Sequence, residues 1–106
     1  MSKYTVEFTR RANIQLGNIF SYIAKDNVTA ALKMLNTLED SATRLETTPF
    51  IGVELLQDQY PLLMPGYRML AVHPFNMYYR VVGNMVYITH IIHHRRNQTK
   101  ALAERE

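Results

Sequence analysis

The hydrophobic pattern of this 106-residue chain changes its period once, at Gly66, and this change constrains the fold more than any other feature. Before Gly66, apolar residues recur every three to four positions, which is the spacing of helices that bury one face. After it, apolar and polar residues alternate in three runs, which is typical of strands with one buried face. Helices followed by strands indicate an α+β domain in which the helices pack on a sheet.

Two helices are predicted in the first half of the chain. The first covers about Arg10 to Ala24, with Thr9 as its N-cap. The second follows the turn at Asp26-Asn27 and extends to about Glu46. Because the connection is short, the helices are expected to form an antiparallel hairpin, and a sheet is its natural packing partner.

Four strands are predicted around this hairpin. The first covers Tyr4 to Phe8, where apolar and polar residues alternate. The other three cover Tyr67 to Val72, Phe75 to Val82 and Met85 to His93, separated by His73-Pro74 and by a hairpin turn at Gly83-Asn84. The three later strands are therefore expected to form an antiparallel meander.

Two segments lack a strong periodic pattern. Thr47 to Pro65 is predicted as a loop, with a short apolar turn around Val53 to Leu56. Asn97 to Glu106 contains good helix formers and is predicted as a short C-terminal helix or a frayed tail. The expected architecture is β-α-α-β-β-β, a helical hairpin packed on an antiparallel sheet, in one domain that covers residues 1–106.

Strand parity divides the residues of the meander between two faces. The face predicted to meet the helices carries Phe75, Met77, Tyr79, Val81, Val86, Ile88 and Ile92. The face predicted to point outward carries Asn76, Tyr78, Arg80, Tyr87, Thr89, His93 and Arg95. Arginine interleaved with tyrosine suits RNA, because guanidinium groups pair with phosphates and aromatic rings stack on bases. The alternative is that these residues are cross-strand partners on a solvated sheet face.

Charge is distributed unevenly along the chain. There are 12 Lys and Arg against 9 Asp and Glu, but no acidic residue lies between Asp58 and Glu104. That stretch holds Arg68, Arg80, Arg95, Arg96 and Lys100, together with the histidines His73, His90, His93 and His94. A region of one sign attracts polyanions or acidic protein segments, although it is also compatible with a solvated basic face.

The densest cluster of functional groups is His93 to Arg96. Histidine exchanges protons near neutral pH, and a guanidinium stabilises a phosphate transition state. His93 with Arg95 therefore fits RNA cleavage by the RNA's own 2′-hydroxyl; the alternative is a solvent-exposed strand end. His90 alternates with apolar residues and is predicted as a core histidine, and His73 as a turn residue.

Several classes of site and location are excluded or disfavoured. Adjacent histidines on a strand point to opposite faces and no carboxylate lies nearby in sequence, so no metal site is expected. The chain has no cysteine for a thiolate zinc site and no Gly-rich phosphate loop, and no cofactor is expected. No apolar run approaches the ~20 residues that span a membrane, so we expect a cytoplasmic domain with no membrane partner.

Several short segments, in this order, resemble one known family. They are Tyr4 to Thr9, Ile19 to Asn27, Ala30-Ala31, the trio Leu45, Pro49 and Gly52, Gly66 to Leu70, Tyr78 to Val81, Val86 to Ile92 and His93 to Arg96. The family is the RelE/ParE toxin superfamily of bacterial type II toxin–antitoxin systems. The resemblance covers nearly the whole chain and implies the same β-α-α-β-β-β fold.

The resemblance implies one of two activities. RelE-like members are ribosome-dependent endonucleases that cut mRNA, whereas ParE-like members poison DNA gyrase. Arg68 and Arg95 keep basic residues of a RelE-type site, but Leu70 and Asn76 stand where further basic residues would, and Ala101 falls near its terminal tyrosine. The chain therefore resembles the ParE side more closely.

The expected function is that of a growth-inhibiting toxin that acts on gyrase and is neutralised by a cognate antitoxin. The alternative is a RelE-like nuclease acting on the ribosome and mRNA, and a third possibility is a nontoxic nucleic-acid-binding domain. The residues expected to bind the target are Arg68, Tyr78, Arg80, His93, Arg95 and Arg96. His93 and Arg95 would be catalytic only in the nuclease.

Overall fold

The computed structural model describes residues 3–60 and 65–104. Its elements are β1 (Thr5–Phe8), α1 (Arg10–Ala24), α2 (Val28–Thr43), a 3-10 turn (Arg44–Glu46), β2 (Val53–Glu54), β3 (Tyr67–Val72), β4 (Phe75–Val82), β5 (Met85–His93) and α3 (Gln98–Leu102). The predicted α+β architecture is confirmed, including the short C-terminal helix. Parts of the predicted loop and tail, residues 61–64 and 105–106, lie outside the described residues.

Both long helices begin where the sequence predicts, after Thr9 and after the turn at Asp26-Asn27. The Thr9 hydroxyl accepts a hydrogen bond from the Ala12 amide at 3.3 Å, and the Asn27 side chain accepts one from the Ala30 amide at 2.9 Å. Each bond satisfies one of the amides that a helix start leaves without an intrahelical partner. The sequence therefore sets where α1 and α2 begin.

The five strands form one sheet in the order β1-β5-β4-β3-β2. Neighbouring strands from β2 to β5 are antiparallel, but β1 is parallel to β5. The antiparallel sheet that the sequence predicts is confirmed for β2 to β5, and β1 joins its edge in the parallel direction. Tight turns force β3, β4 and β5 to alternate in direction, whereas β1 reaches the sheet without such a turn and is free of that constraint.

The two-residue strand β2 lies within the segment that the sequence predicts as a loop. It pairs with β3, placing Val53 opposite Met69 and Glu54 opposite Arg68. Two residues are too few to give an alternating pattern, so periodicity could not identify this strand.

The main core lies between the helical hairpin and one face of the sheet. Its buried members include Leu16, Leu38, Leu45, Met77, Tyr79, Val86 and Ile88. Phe75 and Met77 lie on this face as predicted, and Val81 packs against the cluster. Burying a leucine or isoleucine side chain stabilises a fold by roughly 1.5–3 kcal/mol, so this layer is the main source of stability.

A β-bulge at Thr89 changes which side chains of β5 face the helices. Tyr79 pairs with Ile88, but Tyr78 pairs with His90, which leaves Thr89 as an extra residue. Beyond the bulge, Ile91 and His93 face the helices, and Ile92 lies on the opposite face. The predicted placements of Ile92 towards the helices and of His93 on the outward face are therefore wrong.

No helix within residues 3–60 and 65–104 is long and apolar enough to span a membrane.

Candidate target-binding surface

The sheet face opposite the helical hairpin is not the open surface that the sequence predicts. The short helix α3 covers part of it, and Ala101 and Leu102 pack with Tyr78 and Ile92 in a second, smaller core. Tyr78 is only 2% exposed, and burial raises the pKa of its phenol to about 12. Tyr78 therefore belongs to the interior of the protein in this structure.

Gln98 fastens α3 to the sheet. Its side-chain oxygen accepts hydrogen bonds from the Tyr78 hydroxyl at 2.6 Å and from the Asn76 amide at 3.2 Å. Its amide nitrogen donates to the carbonyls of His93 at 2.9 Å and Arg96 at 2.8 Å. Sequence reasoning missed Gln98, because a glutamine at a helix start gives no sign of partners on two other segments.

Arg80 lies on the same sheet face as Tyr78, further from α3. In register it stands between Tyr67 on β3 and Tyr87 on β5, and its guanidinium carbon is 5.3 Å from the centre of the Tyr87 ring. This is a cation–π contact between cross-strand neighbours. Arg80 is half-buried, and its guanidinium already contacts a ring within the sheet.

Arg68 holds the segment that follows the helices. One nitrogen of its guanidinium donates to the carbonyls of Gly52 at 2.9 Å and Phe50 at 3.3 Å, and its guanidinium carbon lies 5.1 Å from the centre of the Phe50 ring. Beside it, the Gly52 amide donates to the Tyr79 hydroxyl at 2.8 Å. These contacts give Arg68 a structural role that the sequence does not reveal.

The other three candidates, His93, Arg95 and Arg96, lie at the end of β5, next to His94 and to His73 of the turn before β4. We call the group His73, His93, His94, Arg95 and Arg96 the basic corner. The ring centres of His93 and His94 are 4.8 Å apart, and those of His73 and His94 are 5.2 Å apart. The predicted divergence of His93 and His94 is wrong, because β5 ends at His93 and His94 begins a turn.

The basic corner disfavours further positive charge. The pKa of His94 lies below its usual value because of local desolvation and, beyond that, the neighbouring His93, His73 and Arg95. The Arg95 amide donates to Nδ1 of His93 at 3.2 Å, which makes that nitrogen an acceptor. A positive charge on the His94 ring is therefore disfavoured beside these neighbours.

His90 is a satisfied core histidine, as predicted. It is buried, with Nδ1 2.8 Å from the Thr89 hydroxyl and Nε2 3.0 Å from the Glu104 carbonyl. Burial lowers its pKa, so the ring is neutral at neutral pH. Its role is to bond the backbone of Glu104 to β5.

A cleft of about 690 Å³ lies between the helical hairpin and the basic corner. Its lining includes Ile19, Ile23, Met34, Phe75 and Ile91, with Gln15, Asn18, Tyr22, His93 and Arg96 among the polar and amphipathic members. The Gln15 side chain accepts a hydrogen bond from the Ile91 amide at 2.8 Å, beyond the point where β1 stops pairing with β5. The cleft thus combines an apolar interior with a cationic edge.

Known proteins identify the family. The family described as "ParE toxin of type II toxin-antitoxin system, parDE" matches residues 6–98. The chain belongs to the ParE toxin family.

A solved structure supports the assignment to the ParE family. A chain of the chromosomal ParDE TA system from P. aeruginosa is similar, with 25% sequence identity and a TM-score of 0.68 over 85% of this chain and 95% of that one. No curated protein sequence matches this chain. The resemblance to the ParE side of the superfamily is therefore confirmed.

The six candidate residues of this ParE-family toxin do not form one surface. His93, Arg95 and Arg96 lie together, whereas Arg68 is bonded to the loop and Arg80 is stacked on Tyr87. Tyr78 is buried under α3. In the described part of the chain, no three His, Cys, Asp or Glu side chains are placed to hold a metal ion.

Proposed function

We propose that this ParE-family toxin inhibits DNA gyrase by binding it, and that a cognate antitoxin neutralises it. The observation that carries the proposal is the separation of the basic candidates, because Arg68 and Arg80 both lie apart from the pair His93 and Arg95. A ribonuclease needs an acid and a base within hydrogen-bond reach of the same phosphodiester. Here Arg80 is on the opposite sheet face from His93, and Arg68 is engaged by the loop.

The basic corner is the part of the candidate set best suited to contact a target. Arg95 and Arg96 are exposed, and His94 and His73 lie beside them. Contacts of this kind contribute in graded steps, because each cation adds part of the binding free energy. A catalytic group behaves differently, since its loss removes most of the rate at once.

The cleft beside the basic corner suits an antitoxin segment. Its apolar interior, formed by residues such as Ile19 and Met34, would receive hydrophobic side chains. Arg96 and His93 on its edge would pair with acidic ones. This arrangement favours an acidic, amphipathic partner.

Two parallel assays of the purified toxin test the proposal. One measures supercoiling and cleavage complexes of gyrase, and the other maps mRNA ends in a translation reaction. We expect gyrase inhibition with no new mRNA ends. Arg95→Gln and Arg96→Gln should each weaken inhibition by about 1–3 kcal/mol, while the exposed Arg10→Gln serves as a control of equal charge change.

The nuclease alternative makes the opposite prediction. If His93 is a catalytic acid or base, His93→Gln should reduce mRNA cleavage about 100-fold or more while ribosome binding is retained. New mRNA ends that depend on His93, together with unimpaired gyrase, would overturn the proposal.

A further inference from the structure

The basic corner is held rigidly by its backbone. The His94 amide donates to the Pro74 carbonyl at 2.9 Å, which joins the end of β5 to the turn that carries His73. The Arg96 amide donates to the His93 carbonyl at 3.0 Å, and the Gln98 side chain donates to the carbonyls of both residues. The cations therefore project from an ordered turn, so binding has to order their side chains but not the backbone that carries them.

Among the described residues, no carboxylate neutralises the arginines of the basic corner. In the regions 3–60 and 65–104, neither Arg95 nor Arg96 forms an ion pair with a carboxylate. The nearest acidic residue in sequence, Glu104, is paired with Arg11 at 2.7 Å. A polyanion would therefore find these cations available.

Apolar anchors are missing from the exposed part of the basic corner. His73, His94 and Arg95 are exposed and lie outside the lining of the cleft. Among the large exposed apolar side chains, Tyr22 lines the cleft beside the corner. Others lie outside the cleft lining: Ile14, Val28 and Leu32 on the helices, Phe50, Ile51, Val53 and Leu56 on or beside β2, and Val82 at the end of β4.

The composition of this exposed part favours nucleic acid over protein, whereas the cleft beside it suits the protein segment proposed above. A protein partner gains most of its affinity from buried aromatic and apolar anchors. Binding to a phosphate backbone is electrostatic and needs none, because it is driven by the release of counterions.

We propose that the basic corner binds the phosphate backbone of duplex DNA without reading its sequence. The inference rests on the proposed function and deepens it, since duplex DNA is the substrate that gyrase holds. Phosphate contacts fix the position of a protein on a duplex and carry no sequence information of their own. The toxin would thereby contact both gyrase and its DNA.

Fluorescence anisotropy with a labelled duplex tests DNA binding directly, without gyrase. We expect a dissociation constant of about 10⁻⁴–10⁻⁶ M, equal for two unrelated sequences, and weaker binding as salt rises. The double variant Arg95→Gln/Arg96→Gln should lower affinity about tenfold or more and reduce the salt slope by about 2. The variant His73→Gln/His94→Gln should weaken binding by a smaller factor.

A matched control separates the basic corner from net charge. Arg10→Gln/Arg44→Gln removes the same charge from exposed positions in α1 and the 3-10 turn. An equal loss of affinity in both double variants would overturn the proposal, as would no binding at low salt. Binding to an acidic peptide but not to DNA would also overturn it, and would assign the surface to a protein partner.

The outcome for DNA binding is distinguishable from the outcome for gyrase. If the toxin inhibits gyrase but binds no free duplex, the proposed function survives and the DNA site is wrong. If it binds duplex through the basic corner but leaves gyrase unaffected, the DNA site stands and the proposed target is wrong. Circular dichroism of each variant checks that it is folded.

Discussion

Gly52 lies where the loop after the helices crosses the phenol of Tyr79. A Cβ atom on Gly52 would lie 2.6 Å from the Tyr79 hydroxyl and 2.9 Å from the Met69 carbonyl oxygen. Tyr79 is fully buried and the second obstacle is backbone, so neither has room to move. At this position the absence of a side chain is what allows the loop to pack on the sheet.

We therefore predict that Gly52→Ala lowers the free energy of unfolding by about 1–3 kcal/mol, the usual cost of overpacking. Gly17→Ala is the matched control, because Gly17 lies on the exposed side of α1 and a Cβ there would meet nothing within 4 Å. It should stabilise the protein by about 0.5–1 kcal/mol through helix propensity. Urea denaturation measures both, and equal effects of the two variants would contradict the argument.

His90 makes the stability of the protein depend on pH. Its pKa is lowered in the folded state, mainly by burial, so below about pH 6.5 the unfolded chain binds more protons than the folded one. This contribution to stability is intact above the unfolded pKa and is lost as the pH falls towards the folded pKa.

We predict that the wild type loses about 1 kcal/mol more stability than His90→Gln between pH 7.5 and 5.5. The exposed Thr99→Ala, which removes no titratable group, is the control and should keep the pH dependence of the wild type. Chemical denaturation at the two pH values measures the difference, and an identical pH dependence of wild type and His90→Gln would count against burial as the cause.

Among the elements, the short helix α3 depends on contacts with the sheet for its stability, and the Gln98 side chain supplies hydrogen bonds for this. It has five residues, too few for an isolated helix to be stable, and Gln98 bonds it to Tyr78 and Asn76. Removing that side chain would leave the buried Tyr78 hydroxyl without its acceptor.

Gln98→Ala should therefore reduce stability by about 1–3 kcal/mol and speed hydrogen exchange of the Ala101 amide, which bonds to the Asn97 carbonyl. Thr99→Ala changes an exposed residue of the same helix and should leave both unchanged within about 0.5 kcal/mol. If the two variants exchange alike, Gln98 is not what fastens the helix.

The period of the hydrophobic pattern predicts the bounds of α1 and of β3, β4 and β5, but not the faces of β5. Ile91 and Ile92 are both apolar, so alternation along β5 fits either register equally well. Only the pairing of Tyr78 with His90 reveals the bulge at Thr89. His93 changes face for this reason alone.

The sequence predicts which candidate residues lie together only where those residues are neighbours along the chain. The cluster from His93 to Arg96 is contiguous, and the structure keeps it together at one corner. The roles of Arg68 and Tyr78 depend on partners at Gly52 and Gln98, which lie 16 and 20 residues away along the chain. No periodic pattern specifies such contacts.

Across the whole molecule, some of the cations form contacts within the protein, whereas others are exposed and can contact a partner. Arg68 and Arg80 are engaged with Phe50 and Tyr87, and Arg11 is paired with Glu104. Arg95 and Arg96 remain exposed beside the cleft. The electrostatic attraction of an acidic partner should therefore centre on this corner and not on the whole positive stretch of the sequence.

This arrangement predicts how the proposed antitoxin associates. Exposed charges at the rim of an interface act mainly on the rate of encounter, and salt screens them over a Debye length of ~10 Å at about 0.1 M. The association rate should fall about tenfold between low and high salt, whereas the dissociation rate, set by the apolar cleft, should change much less.

Arg96→Gln should lower the association rate, while Arg80→Ala, which removes a side chain stacked on Tyr87, should affect association less than stability. Stopped-flow or surface-based kinetics measure both rates, with Arg10→Gln as the control of equal charge. An association rate that ignores salt, or that falls as much for Arg10→Gln as for Arg96→Gln, would show that the corner does not steer the partner.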